Sequence, residues 1–258
     1  MDQKLLKKHV ESFLKRHKIE SEKYEQDKIE RQERIRYYQS WNKDSLIKME
    51  QSDLYEYLGK LWAMLIWGNK KYVVDKLIQD NGLDKVRKSL ISLIWDEEEK
   101  ISTRWDVFRK NIKGMGPAMM SEILCHVHPC DYMIWNRRAY VGLDYLGFEN
   151  LPRYNYQITG KKYSELSNSV KTIADEFRKV SIQDPNLLTV DYFIWDELQV
   201  EDNLSKIYTK RNIIEIDTID NKDSETSDFI HDEIRDKIAE IGQWLGFTTQ
   251  IEIKIAEG

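Results

Sequence analysis

Apolar residues recur at helical spacing over most of the first 200 positions. Leu5, Leu6, Val10, Phe13 and Leu14 line one side of a segment at 3–36 whose second half is almost wholly polar, which predicts an exposed charged helix. Asp44 or Ser45 opens a short helix bearing Leu46, Ile47 and Met49, and Ser52 caps a longer one through Tyr55, Leu58, Leu61, Trp62 and Leu65. Gly68-Asn69 breaks the pattern, Tyr72-Val73-Val74 and Leu77-Ile78 resume it, and Asn81-Gly82 has the chemistry of a helix C-cap. Val86, Leu90, Ile91, Leu93, Ile94 and Trp95 give the next helix an apolar face before Asp96-Glu97-Glu98-Glu99 turns the chain to solvent. Trp105, Phe108 and Ile112 mark a helix that runs into Gly114-Met115-Gly116-Pro117, and Met119, Met120, Ile123, Leu124 and Val127 mark its successor. Further helices are expected at 136–146, 162–180 and 187–199, with Gly147 and Pro152-Arg153-Tyr154-Asn155-Tyr156 between the first two. The expected fold class is mainly α: a charged N-terminal helix at 1–40 and a multi-helix domain at 41–200 around one core.

Beyond residue 200 the pattern changes. Ile213-Ile214-Glu215-Ile216-Asp217 reads as a strand, and 218–228 is an acidic stretch without apolar periodicity, so 201–229 is expected to be a linker. Ile234, Ile238, Ile241, Trp244 and Leu245 then share one helical face, Gly246 caps that helix, and 249–255 alternates as a strand. A helix and one strand cannot bury both their faces. The appendage at 230–258 is therefore expected to be completed by a missing domain or a protein partner; it resembles the opening of a restriction-endonuclease-like domain.

With 41% hydrophobic residues the 258-residue chain can build a sizeable core. Its apolar runs fall short of the roughly 20 residues that span a bilayer, and its charged start has no signal-peptide core. A cytoplasmic location away from membranes is expected. Cys125 and Cys130 are the only cysteines, too few for an iron–sulfur cluster. Cys125, His126, His128 and Cys130 fit a zinc site poorly, because neighbouring members of so short a run point different ways; no metal and no cofactor are expected.

The net charge of −5 is uneven. Residues 201–258 hold seven Lys or Arg against fourteen Asp or Glu, which leaves 33 against 31 in the first 200. Around the glycines, Arg104, Arg109, Lys110, Lys113, Arg137 and Arg138 outnumber Asp106, Glu122 and Asp131. A basic surface of this kind suits a polyanion, whose phosphates supply much of the binding free energy.

Residues 112–124 carry the most chemistry. Gly114 and Gly116 permit positive φ and close backbone approach, Pro117 suits the first helical position, and the helix beyond presents unpaired N–H groups at its positive end. Helix, short Gly-x-Gly hairpin and helix together resemble the helix-hairpin-helix, with Met120 where that motif usually has a small residue. The following run, His128 to Ala139, extends the likeness to the helix-hairpin-helix DNA glycosylase superfamily. The likeness is specific over 107–147 and follows the general pattern over 50–200.

The resemblance implies a glycosylase-like helical fold and double-stranded DNA as partner. It places Lys113, Gly114, Met115, Gly116, Pro117, Ala118, Arg137 and Arg138 at the DNA backbone, and Tyr132 and Trp135 beside an extruded base, where stacking contributes about 1–3 kcal/mol. The family's catalytic Asp falls on Asn136, and the Lys of its lyase members on Ala118. A carboxylate stabilises the positive charge that builds on the sugar during excision, whereas an amide does so poorly and alanine cannot form a Schiff base. Asn136 is also a good cap for a helix opening at Arg137, and Asp131 is a candidate displaced acid or a loop-turning residue. Three functions follow as expectations: a DNA-binding module that probes modified or damaged bases in restriction or phage defence, an active glycosylase with rearranged groups, and a helical protein-interaction module.

Overall fold

The computed structural model describes residues 1–180 and 185–198, and among them every regular element is helical. The expected mainly α class is what the chain adopts. Eleven α-helices follow one another: α1 (Gln3–Ile19), α2 (Ser21–Ser40), α3 (Lys43–Lys48), α4 (Gln51–Gly59), α5 (Lys70–Asn81), α6 (Leu83–Trp95), α7 (Ile101–Asn111), α8 (Pro117–Val127), α9 (Arg137–Tyr145), α10 (Gly160–Lys179) and α11 (Leu187–Asp196). No helix among the described residues is long and apolar enough to cross a membrane. The strands expected at 213–217 and 249–255, the linker and the helix at 231–247 lie outside the described residues.

The centre of the molecule is α8. All but one of its residues are buried, the polar Ser121, Glu122 and His126 among them, as in a helix enclosed by others. It packs against α2, α6, α11 and the 3-10 turn Trp62–Met64. Around it, α7 lies between α6 and α10, α11 joins α9 to α10, and α1 covers α10. Two close approaches depend on glycine. A Cβ on Gly160 would stand 1.9 Å from the Ser102 carbonyl oxygen where α10 begins against α7, and one on Gly142 would stand 2.5 Å from Ile194 Cγ2 where α9 meets α11.

The first 40 residues do not form a separate element. The expected single helix breaks at Glu20 (φ −102°, ψ 44°), and both halves join the common core through Leu6, Val10, Phe13 and Tyr38. The polar half is held by hydrogen bonds and rings rather than by an apolar stripe. Tyr38 donates to the Tyr57 carbonyl and stacks on His126, Gln39 donates to the Val127 carbonyl, and the Arg31 guanidinium lies 3.8 Å over the Tyr192 ring.

Other departures have equally local causes. The helix expected from Ser52 to Leu65 starts earlier, where Glu50 and Asp53 form a reciprocal capping box, and stops at Gly59. The following 3-10 turn leaves Leu65 exposed. Trp195 is also on the surface, 45% exposed, although its neighbours on α11 are buried. Helix α10 starts at Gly160 instead of 162, because Thr159 caps it and the Asp106 carboxylate accepts the Gly160 amide at 2.8 Å.

Candidate functional site

The hairpin between α7 and α8 lies at the surface with its apolar side chains turned inward. Ile112 and Met115 are 3% and 4% exposed and anchor the turn, whereas Lys113 is exposed and Gly114, Gly116 and Ala118 are partly so. Gly114 adopts φ +87°, a conformation that a side chain disfavours. The two glycines were expected to share that role, but Gly116 is extended (φ −88°, ψ 174°) and serves as the N-cap of α8. Pro117 occupies the first turn of α8, as expected.

Asn81 fixes this turn from α5. Its Oδ1 accepts the Lys113 amide at 2.9 Å, and its Nδ2 donates to the Lys113 carbonyl at 2.9 Å. The sequence assigns Asn81 only to a helix end. Its clamp on a residue 32 positions away has no local signature, while the cap itself falls to Gly82 at φ +78°. Past the clamp, the amides of Gly114, Met115, Gly116, Ala118 and Met119 meet no acceptor among the described residues. Gly114, Gly116 and Ala118 among them are partly exposed, whereas Met115 and Met119 are buried, so the first three are the donors that solvent or an anion can meet near the positive end of α8.

The segment after α8 folds back toward this end. Ser121 Oγ accepts the Trp135 amide at 2.8 Å and donates to the Ala118 carbonyl at 3.1 Å, which sets Asn136 level with the first turns of α8. Arg137 and Arg138 open α9 and are both exposed, and Ala118 is partly so. Lys110 and Lys113 are exposed and make no ion pair among the described residues. Arg104 and Arg109 are spent internally. Arg104 donates to the Leu93 and Ile94 carbonyls, and Arg109 to those of Asn155 and Ile158.

Two expected assignments change here, those of Trp135 and Tyr132, while Asn136 and Asp131 take the capping and loop-turning roles expected of them beside the catalytic ones. Asn136 is engaged as a cap, its Oδ1 accepting the Ala139 amide at 2.9 Å, so this oxygen is committed to α9 and is poorly placed to orient water. Asp131 lies at the far end of α8, about 15 Å from the hairpin by helical rise, where it is exposed and pairs with Lys171 at 3.4 Å. Trp135 is 3% exposed and packed in the core, so its ring offers no face to a base. Tyr132 is half-buried and fixed by the Arg104 Nη2 bond to its hydroxyl at 2.9 Å, beside the His128 and Tyr163 rings. The suggested stacking pocket is thus not formed by these two residues.

The four thiol and imidazole groups at 125–130 diverge. Cys125 is buried, Cys130 is exposed, and His126 and His128 donate to the Glu122 and Ile94 carbonyls respectively. No group of three His, Cys, Asp or Glu among the described residues is placed to hold a metal ion.

Two carboxyls have unusual settings. Glu122 on α8 is 2% exposed and accepts the Trp62 and Ala63 amides at 2.5 and 2.8 Å. Burial pushes it up to about 7, against the pull of those two amides. Asp191 on α11 was not singled out in the sequence, since it sits in an ordinary apolar helix without a flanking motif. Desolvation raises it to about 7, opposed by Arg138 and Arg31, and its side chain forms no hydrogen bond or ion pair among the described residues. Solvent still reaches it in part. Asp191 is therefore the acid that the fold brings within electrostatic reach of the α9 start, a position that Asp131 does not occupy.

These shifts make folding take up protons. Glu122 and Asp191 are protonated in the folded chain and ionised in the unfolded chain between about pH 4 and 7, so their contribution falls as pH rises through that window. His126 acts oppositely. Burial lowers it to about 3, and its contribution, present above about pH 6.5, is lost as pH falls. Two carboxyls outweigh one imidazole between pH 5 and 7, so unfolding free energy should decline by about 1 kcal/mol per pH unit. Urea melts at pH 5, 6 and 7 check this, and Glu122→Gln should nearly abolish the slope. A slope that rises with pH in the wild type contradicts the assignment.

No family model, no curated protein and no solved structure matches this chain.

Proposed function

We propose that this chain is a DNA-binding module that holds the duplex backbone at the 112–116 hairpin and the start of α8. Arg137 and Arg138 flank the same strand, in the setting of damaged or modified DNA met in restriction or phage defence. The observation that carries the proposal is the set of partly exposed main-chain donors at Gly114, Gly116 and Ala118 without acceptors among the described residues, beside exposed Lys110 and Lys113. Phosphate oxygens match such donors, and phosphate contacts position a protein without reading sequence. The negative overall charge is no obstacle, because the excess acid lies beyond residue 200.

Binding of a short duplex measured between 50 and 200 mM salt tests this. The logarithm of the affinity should fall linearly with the logarithm of the salt concentration, as counterion release demands. Absence of binding at micromolar protein and 50 mM salt rules the module out and leaves a protein-interaction role.

One observation favours a second function, base excision. Asp191 is a carboxyl raised to about 7, with no partner among the described residues and within electrostatic reach of Arg138, which is the character of a group that gives or takes a proton near neutral pH. If excision occurs, Asp191→Asn should lower the yield of abasic sites in modified duplexes by about 100-fold or more with DNA binding retained. Activity surviving in that variant removes Asp191 from the chemistry.

A further inference from the structure

Helices α6 and α7 enclose a groove of about 480 Å³ lined by Lys85, Lys88, Ser89, Ser92, Arg104 and Asn111, over a floor of Val107 and Phe108. Its volume falls within the range of small-molecule sites. The only carboxylate on its wall, Asp84, is tied to Arg87 at 2.7 Å. Lys85 and Lys88 are exposed and form no ion pair among the described residues, so the groove carries uncompensated positive charge. Arg104 is 7% exposed on the inner wall. Three of its donor bonds are made to Leu93, Ile94 and Tyr132, but its Nε is buried with no hydrogen-bond partner. That Nε has almost no accessible surface, so Arg104 backs the wall with its charge while the groups within reach of a ligand are the lysines and the neutral side chains. Ser89, Ser92 and Asn111 add neutral polar groups to the same wall.

The groove begins at the hairpin. Asn111 is the last residue of α7, one position before Ile112, and α6 starts immediately after the Asn81 clamp and Gly82. From Asp84 to Ser92 it follows α6 for about 12 Å. An anion lying in it would therefore be continuous with one held by the Gly114, Gly116 and Ala118 amides. Phosphodiester oxygens separated by sugars fit this mixture of cations, small polar side chains and apolar floor better than a compact anion does.

We propose that the α6–α7 groove is a second phosphate site, which takes a phosphodiester of the strand whose backbone the hairpin holds; it rests on the DNA-binding function proposed above. Lys85 and Lys88 supply the long-range charge, and Ser89, Ser92 and Asn111 supply the donors. The interface thereby extends from one turn to a strip along α6.

Duplex binding by the full chain is compared over a salt series for wild type, Lys85→Gln/Lys88→Gln and Gly114→Val. The lysines are exposed, so the double variant should keep its fold, checked by circular dichroism and melting. The groove predicts at least about a tenfold loss of affinity at 0.1 M salt and a salt slope smaller by about 2 in the double variant. Unchanged affinity and slope there, with binding lost in Gly114→Val, overturn the groove and leave the hairpin standing; no binding by the wild type overturns both. Inorganic phosphate is titrated in parallel, followed at the Ser89 and Ser92 amides. Micromolar phosphate binding that the double variant loses, with its DNA slope unchanged, overturns the proposal in favour of a free phosphate compound.

Discussion

Gly160→Ala is expected to destabilise the chain by about 3 kcal/mol or more, a cost characteristic of overpacking in a close-packed interior. The Cβ would stand 1.9 Å from the Ser102 carbonyl oxygen, 2.7 Å from its carbon and 2.8 Å from its Cα. All three atoms are main chain, so no side-chain rotation can relieve the clash. Helices α7 and α10 would have to separate, loosening the Asp106 bond to the Gly160 amide and the Trp105–Tyr163 stack at 4.0 Å. Thermal and urea unfolding give the measurement, with a midpoint expected to fall by roughly 6–12 °C. Gly59→Ala is the matched control. Gly59 is the last residue of α4 with nothing within 4 Å of its Cβ position, so that variant should be neutral or slightly stabilising.

Gly114→Val should weaken DNA binding by about 10- to 100-fold, comparable to losing one or two phosphate contacts at 0.1 M salt, with the helical fold retained. Gly114 sits at φ +87°, which a β-branched residue avoids at a cost of about 1–3 kcal/mol. Space is not the obstacle, because the nearest atom to an added Cβ is Leu77 Cδ1 at an ordinary 3.5 Å. The turn would instead relax to negative φ and displace the Gly114 and Gly116 amides. Ile112, Met115 and α8 remain anchored in the core, so the loss should be local. Gly116→Ala supplies the contrast. Its extended backbone accommodates any residue, and its effect on binding should be several-fold smaller. Equal losses in the two variants would mean that the hairpin acts through bulk alone.

What the sequence conveys best is where helices run and which faces they bury. Leu90, Leu93 and Ile94 on α6, or Ile123 and Leu124 on α8, repeat with the helical period and pack as that period requires. Gly114-Met115-Gly116-Pro117 marks the hairpin for an equally local reason. Less legible are features set by partners distant in the chain. The break at Glu20 has no glycine or proline to announce it, and the second half, lacking an apolar stripe, joins the core through Arg31 and Tyr38. Gly160 looks like a helix breaker until Ser102 is placed against it. Trp135 and Tyr132 have the composition of a stacking pair, but Ser121 and Arg104 draw them inward. Asp191 becomes chemically distinct only when packing takes it out of water, a burial that Arg138 and Arg31 offset only in part.

The most direct measurement follows the hairpin amides themselves. Amide chemical shifts and hydrogen exchange of Gly114, Met115, Gly116, Ala118 and Met119 are recorded with and without a short duplex at low salt. If the turn holds a phosphate backbone, these amides shift together and gain protection, and both effects fade as salt is raised. Binding that leaves them unchanged while perturbing another face contradicts the account.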